Sequence, residues 1–132
     1  MIACGFASAL LAALPAARAD ETETLESLRK QKLVAAKDWY HATILAEAAG
    51  TVRLSAIHEA SVAWKEAAYE LAASKQERLR ALEEHRDRMI NLYERVDGAK
   101  GVVDSISLDM VLLTKYWSPE AKIWTIEEAA KP

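Results

Sequence analysis

The chain has 132 residues and a net charge of −3, from 17 basic and 20 acidic residues. Hydrophobic residues make up 52% and charged residues 28%, which excludes an intrinsically disordered chain on composition. Both signs of charge are mixed along the chain with no basic stripe, which argues against nucleic acid as a partner.

The first nineteen residues differ from the rest. Residues 2–14 are apolar and uncharged, followed by Pro15 and then Ala17-Arg18-Ala19. A short apolar run closed by a small-x-small site is the pattern of a secretory signal peptide, although no Lys or Arg precedes the run. The run is too short to remain as a permanent transmembrane helix. Cleavage after Ala19 would remove Arg18 and Cys4, the single cysteine, leaving a chain with no thiol, disulfide or cysteine metal site. The expected organisation is therefore a signal at 1–19 and one all-helical domain at 20–132, periplasmic or secreted.

The first helix is expected to begin near Thr24, with Glu21 and Glu23 near its positive end. Its seam reads Leu25, Leu28, Lys32, Ala35, Trp39, Ala42, Ala46, Ala49, in alternating steps of three and four. Gly50 follows where a left-handed cap is wanted.

Residues 51–97 contain no glycine and no proline. A helix starting near Ser55 and running to Asp97 would be roughly 65 Å long, longer than a compact domain of this size is wide. Its seam reads Ile57, Ala60, Trp64, Ala67, Leu71, then slips by four residues and resumes as Lys75, Arg78, Leu82, His85, Met89, Leu92, Val96. A continuous helix is the expectation here. The rival is a break at Ser74-Lys75-Gln76-Glu77, which fits the S-x-x-E capping box.

The third helix is expected to start near Ser105 or Ser107, with Asp109 in its first turn. Its apolar residues include Leu108, Val111, Leu112, Tyr116, Ile123, Trp124 and Ile126. Ser118-Pro119-Glu120 predicts a kink or a fresh start, because proline removes a backbone donor and clashes with the preceding turn.

Short connections make neighbouring helices antiparallel. The fold class is then all-α: antiparallel helical hairpins sharing one long central helix, a coiled-coil-like rod. The alternative is a compact four-helix bundle. Seam packing falls to Trp39, Trp64, Leu71, Leu82 and Met89. The registers place Trp39 against Trp64, Met89 against Leu113, His85 near Trp117 and Arg78 near Trp124, the last a cation–π pair.

The two halves look like variants of one unit. Tyr40-His41-Ala42-Thr43 leads through Glu47-Ala48-Ala49-Gly50 to a helix carrying Trp64-Lys65-Glu66-Ala67. Gly101 is followed by Leu108-Asp109-Met110-Val111, Tyr116 and Glu120-Ala121-Lys122-Ile123-Trp124. This pattern resembles the helical-hairpin repeat of TolC-type outer-membrane efflux proteins, and still more that of small secreted proteins carrying only the hairpin. The resemblance implies a helical scaffold in the cell envelope. It does not imply a channel, because the chain has no alternating apolar segments of about ten residues to form outer-membrane strands.

Chemistry-bearing motifs are few. Asp38 and His41 at i, i+3, with His58 about one turn away across the first hairpin, form a weak metal constellation that is better read as separate surface residues. Glu83, Glu84 and Asp87 lie beside Arg80, Arg86 and Arg88 and read as a solvated face. There is no G-x-S-x-G, no phosphate loop and no H-E-x-x-H. No catalytic residue, metal ligand or cofactor site is therefore assigned, and the chain is read as a non-enzyme. Trp117, Trp124 and Tyr116, flanking the proline, are the candidate partner surface, since Trp and Tyr favour interfaces. The expected partner is a second copy or another helical envelope protein.

Overall fold

The computed structural model describes residues 23–50, 53–99 and 108–132. All regular structure among them is helical: α1 (Leu25–Ala48), α2 (Leu54–Leu71), α3 (Lys75–Ala99) and α4 (Leu108–Ala130). The expectations for the signal at 1–19 and for starts at Ser105 or Ser107 lie outside the described residues.

Thr24 caps α1 by accepting the Ser27 N–H on its hydroxyl at 3.1 Å. The helix ends at Gly50, whose φ of 74° is left-handed. Glycine enters that region without a Cβ clash, and its N–H donates back to the Glu47 carbonyl at 2.9 Å. The cap of α2 is Arg53 and not the expected Ser55, and no side chain closes that end.

The single helix expected over 51–97 is two helices. Ala72 adopts an extended conformation, φ −61° and ψ 128°, and α3 restarts at Lys75. The capping box decides it: Ser74 Oγ accepts the Glu77 N–H at 3.2 Å, and the Glu77 carboxylate accepts the Ala73 N–H at 2.6 Å. Such a cap contributes about 1 kcal/mol. The larger gain comes from what the break permits, for α3 now folds back along α2.

Of the kink or fresh start expected at Pro119, the fresh start does not occur, and α4 runs through the proline. Proline in a helix interior costs about 3 kcal/mol. Here its ring faces solvent, while Trp117, Ser118 and Ala121 on either side are buried. Packing of the flanks offsets the lost hydrogen bond.

Contacts pair α1 with α2, α2 with α3 and α3 with α4. Residue numbers run in opposite directions across each pair. Lys32 meets Glu70 and Tyr40 meets Trp64; Ser61 meets His85; Arg78 meets Glu128 and His85 meets Trp124. Neighbours are therefore antiparallel. The α3–α4 register is shifted from the expected one: Arg78 reaches Glu128 and His85 reaches Trp124, four to seven residues beyond the expected partners.

The core is one apolar cluster of Leu54, Ile57, Met89, Leu92, Val96, Val111, Trp117 and Ala121, with Tyr40, Ile44 and Met110 packed against it. On α1 the buried face is offset by one residue from the expected seam. Ala36 and Thr43 are buried and Leu33, Tyr40 and Ile44 half-buried, while Trp39 is 48% exposed. Trp64 therefore meets Tyr40 edge-on and His41 at a tilt, not Trp39.

Nothing lies within 4 Å of a Cβ added at Gly50, so a substitution there tests backbone conformation alone. Gly50→Ala is expected to lower stability by about 1 kcal/mol, and Gly50→Asn by less, in urea denaturation. An unchanged midpoint for the alanine variant would show that this turn does not constrain the hairpin.

Candidate functional site

The chemistry-bearing side chains gather where α2, α3 and α4 meet. Helical spacing puts His58, Ser61 and Lys65 on one side of α2, His85 and Arg88 on the facing side of α3, and Trp117 and Trp124 on α4. Ser61 is 0% and His85 1% exposed. Arg88 Nε donates to Ser61 Oγ at 2.7 Å, and its Nη2 donates to the Ser61 carbonyl at 3.3 Å. Ser61 Oγ in turn lies 2.8 Å from His85 Nδ1. Ser61 Oγ thus joins the Arg88 guanidinium to the His85 ring, a hydroxyl being able both to accept from the one and to bond the other.

Two stacks flank this chain of bonds. His58 lies flat on Trp117, centroids 4.3 Å apart and planes within 3°, and His85 stacks on Trp124 at 5.7 Å. The two histidine rings are 6.2 Å apart. Two cations line the cluster. Arg88 sits 4.0 Å over the Trp64 ring and 5.4 Å over Tyr40, and Lys65 sits 3.9 Å over Trp124.

Burial sets the electrostatics. It holds the His85 imidazole down at about 3, helped by the charges of Arg88, Lys65 and His58. Burial also lowers His58, against the pull of Glu120, whose carboxylate stands 3.9 Å away. It lowers Lys65, and it brings Arg88 to about 10. Nε2 of both histidines is buried without a hydrogen-bond partner. Leaving such an atom unpaired costs about 1–3 kcal/mol, so the two rings are held by stacking and not by complete polar satisfaction.

A serine hydrogen-bonded to a histidine is the opening arrangement of nucleophilic catalysis. Here Ser61 is enclosed, and its hydroxyl already joins Arg88 to His85. The arrangement serves as a strut between α2 and α3. Among the described residues no three of His, Cys, Asp or Glu come together to hold a metal ion. His41 lies on the exposed side of α1 against Tyr40 and Trp64, while His58 points to Trp117, so the Asp38, His41, His58 set is not assembled.

A second polar centre closes the far end. The Glu128 carboxylate, on a side chain 1% exposed, accepts from Arg78 at 2.8 Å, Tyr69 at 2.9 Å and Lys131 at 2.6 Å. Lys131 and Arg78 hold its carboxyl at about 2. Lys75 donates to the carbonyls of Ala129 and Lys131 and so caps the end of α4. Between α2 and α4 this leaves an open cleft of about 310 Å³, walled by Lys65, Tyr69, Leu82 and Trp124.

The sequence-based surface residues are distributed differently from expectation. Trp117 is 6% exposed and inside, and Trp124 is half-buried under Lys65 at the wall of the cleft. Tyr116 is 63% exposed. Of the seam residues, Leu82 and Met89 are buried, Trp64 and Leu71 are half-buried, and Trp39 faces out. Sequence reasoning missed Ser61, Arg88 and Glu128. Ser61 and Glu128 are polar residues on buried faces, and only exact helix phases would have shown it. No protein family, curated protein or solved structure matches the chain.

The buried neutral His85 gives a pH prediction. Its folded pKa lies below the ordinary value of 6.5, so between the two the unfolded chain binds one more proton. The stabilising effect is complete above pH 6.5 and is lost as pH falls toward 3, at up to about 1.4 kcal/mol per pH unit. The melting temperature is expected to drop from pH 7 to pH 5. It should drop less steeply in His85→Gln, with a residual slope from His58. A profile identical in the two proteins would place the titrating group elsewhere.

Proposed function

We propose that this chain is a non-catalytic scaffold or adaptor of the cell envelope, built as a compact four-helix bundle and acting by helix-on-helix packing. The observation that carries this reading is the orientation of α4. Its inner face buries Val111, Trp117 and Ala121 interleaved with the polar residues Thr114, Ser118, Thr125 and Glu128. Five further large apolar residues face out, with Leu108 72%, Leu112 51%, Tyr116 63%, Ile123 53% and Ile126 68% exposed. A contiguous exposed apolar face of this length marks an interaction surface. The break at Ser74, with α3 folded back on α2, favours a bundle over a rod.

The apolar run of residues 2–14 and Ala17-Arg18-Ala19 support an envelope location. So does the resemblance to TolC-type hairpin repeats, which also suits a helical partner of the efflux machinery. No described helix is long and apolar enough to cross a membrane. A second reading, a ligand-binding bundle, draws on the cleft beside Trp124 and Tyr69, whose volume lies at the lower end of small-molecule sites.

A photo-cross-linking residue placed at Tyr116 tests the scaffold reading against one placed at Arg80, on the solvent side of α3. Adducts of defined mass are expected at 116 and not at 80, on a protein whose processed N-terminus is Asp20. Equal labelling at both positions, or none at 116, would sink it.

A further inference from the structure

The outer face of α4 has an order that apolarity alone does not explain. Leu112, Tyr116, Pro119, Ile123, Ile126 and Ala130 follow one another in steps of four, three, four, three and four. All six are exposed, and they form the inner positions of a heptad on a helix already packed on its other side. The residues along the two edges of that stripe repeat every seven. One edge carries Leu108, Lys115 and Lys122; the other carries Leu113, Glu120 and Glu127. Lys115, Lys122 and Glu127 make no ion pair among the described residues.

Those edges are complementary to each other in one orientation only. In a parallel pair of helices, the residue on one edge meets the residue five positions later on the opposite edge of the partner. Leu108 would then meet Leu113 of a second copy, Lys115 would meet Glu120, and Lys122 would meet Glu127. All three relations match in character, and the two-fold axis doubles them to six. In an antiparallel pair, lysine edge faces lysine edge and glutamate faces glutamate, which is repulsive. An unrelated helix would have no reason to satisfy the same seven-residue repeat on both edges.

We infer that α4 is a homodimerisation helix, its outer stripe packing in register and in parallel against the same stripe of a second copy. The inference rests on the scaffold reading and gives it a partner. From Leu112 to Ala130 the stripe is roughly 28 Å long, which places the interface near the lower limit of specific association, about 1,000 Å². An interface of this small size suits a reversible dimer.

Sedimentation equilibrium across the micromolar range provides the first test. The chain is expected to dimerise, and Ile123→Glu with Ile126→Glu to weaken dimerisation at least tenfold at unchanged helicity, since both side chains are exposed. Lys115→Glu with Lys122→Glu makes both edges acidic, and Glu120→Lys with Glu127→Lys makes both basic. Each variant should be monomeric alone, and an equimolar mixture should restore a heterodimer. Orientation is read by a disulfide, with Cys4 replaced by serine. Leu112→Cys should cross-link to itself in the parallel dimer, whereas an antiparallel one would bring position 112 opposite position 130, so that only a mixture of Leu112→Cys with Ala130→Cys should link. A monomer at 100 μM, a dimer that survives the double glutamate variant, or a 112–130 link without a 112–112 link would each overturn the inference. The scaffold reading fails separately, through the absence of any adduct at position 116. A monomer that still gives adducts with another protein there would refute the second copy and leave the scaffold standing.

Discussion

The Arg88–Ser61–His85 chain of hydrogen bonds fixes how α2 lies against α3, and the other two helices are placed relative to that pair. Ser61 has no exposure and His85 almost none. A hydroxyl and an imidazole in that setting stabilise the fold only while each keeps its partner, because an orphaned buried polar group forfeits its full desolvation. One register of α2 against α3 satisfies them, and a slip by one turn strands both. The same arginine reaches over Trp64 and Tyr40, so the register of α1 follows from it. The stacks of His58 on Trp117 and His85 on Trp124 carry the constraint to α4. Three contacts from α2 to α4 repeat a separation of 59 residues: His58 to Trp117, Lys65 to Trp124 and Tyr69 to Glu128. A constant separation along three turns is the mark of two parallel helices locked in one register.

Helices were legible in the sequence where local signals were strong, and less so where packing chose among phases. Thr24 and Gly50 bound α1 by capping chemistry alone, and both act as their residue types predict. The seam Leu82, His85, Met89, Leu92, Val96 could be read directly from spacing, and all five residues are buried. On α1 the size of Trp39 biased the reading toward a phase one residue off. The true phase turns Leu33, Ala36, Tyr40 and Ile44 inward and leaves Lys32 free to pair with Glu70 at 2.9 Å. At Ser74 two weak signals competed. The capping box prevailed over the helix propensity of two alanines because tertiary packing of α3 on α2 lies on its side. At Pro119 the same logic ran in reverse, with packing on both flanks overriding a local breaker. The polar cluster was the least legible part. Ser61, Arg88 and Glu128 carry no motif, and only the assembled helices bring them to their partners.

α4 remains the part of the molecule that the monomer does not explain. Rotated half a turn, it would bury Leu112, Tyr116, Ile123 and Ile126 and expose Thr114, Ser118, Thr125 and Glu128. Burial of a large apolar side chain is worth about 1.5–3 kcal/mol, so that rotation should be attractive to an isolated chain. Two features oppose it. The Thr114 and Thr125 hydroxyls bond to carbonyls of their own helix, which makes them cheap to bury, and the rotation would expose Val111, Trp117 and Ala121. Trp117 on His58 and Glu128 between Arg78, Tyr69 and Lys131 then anchor both ends of the inner face. A helix held so firmly with its larger apolar side chains outward is uneconomical alone and consistent in an assembly. The stability forgone in the monomer is the free energy available for association, and the charges beside the stripe decide with what.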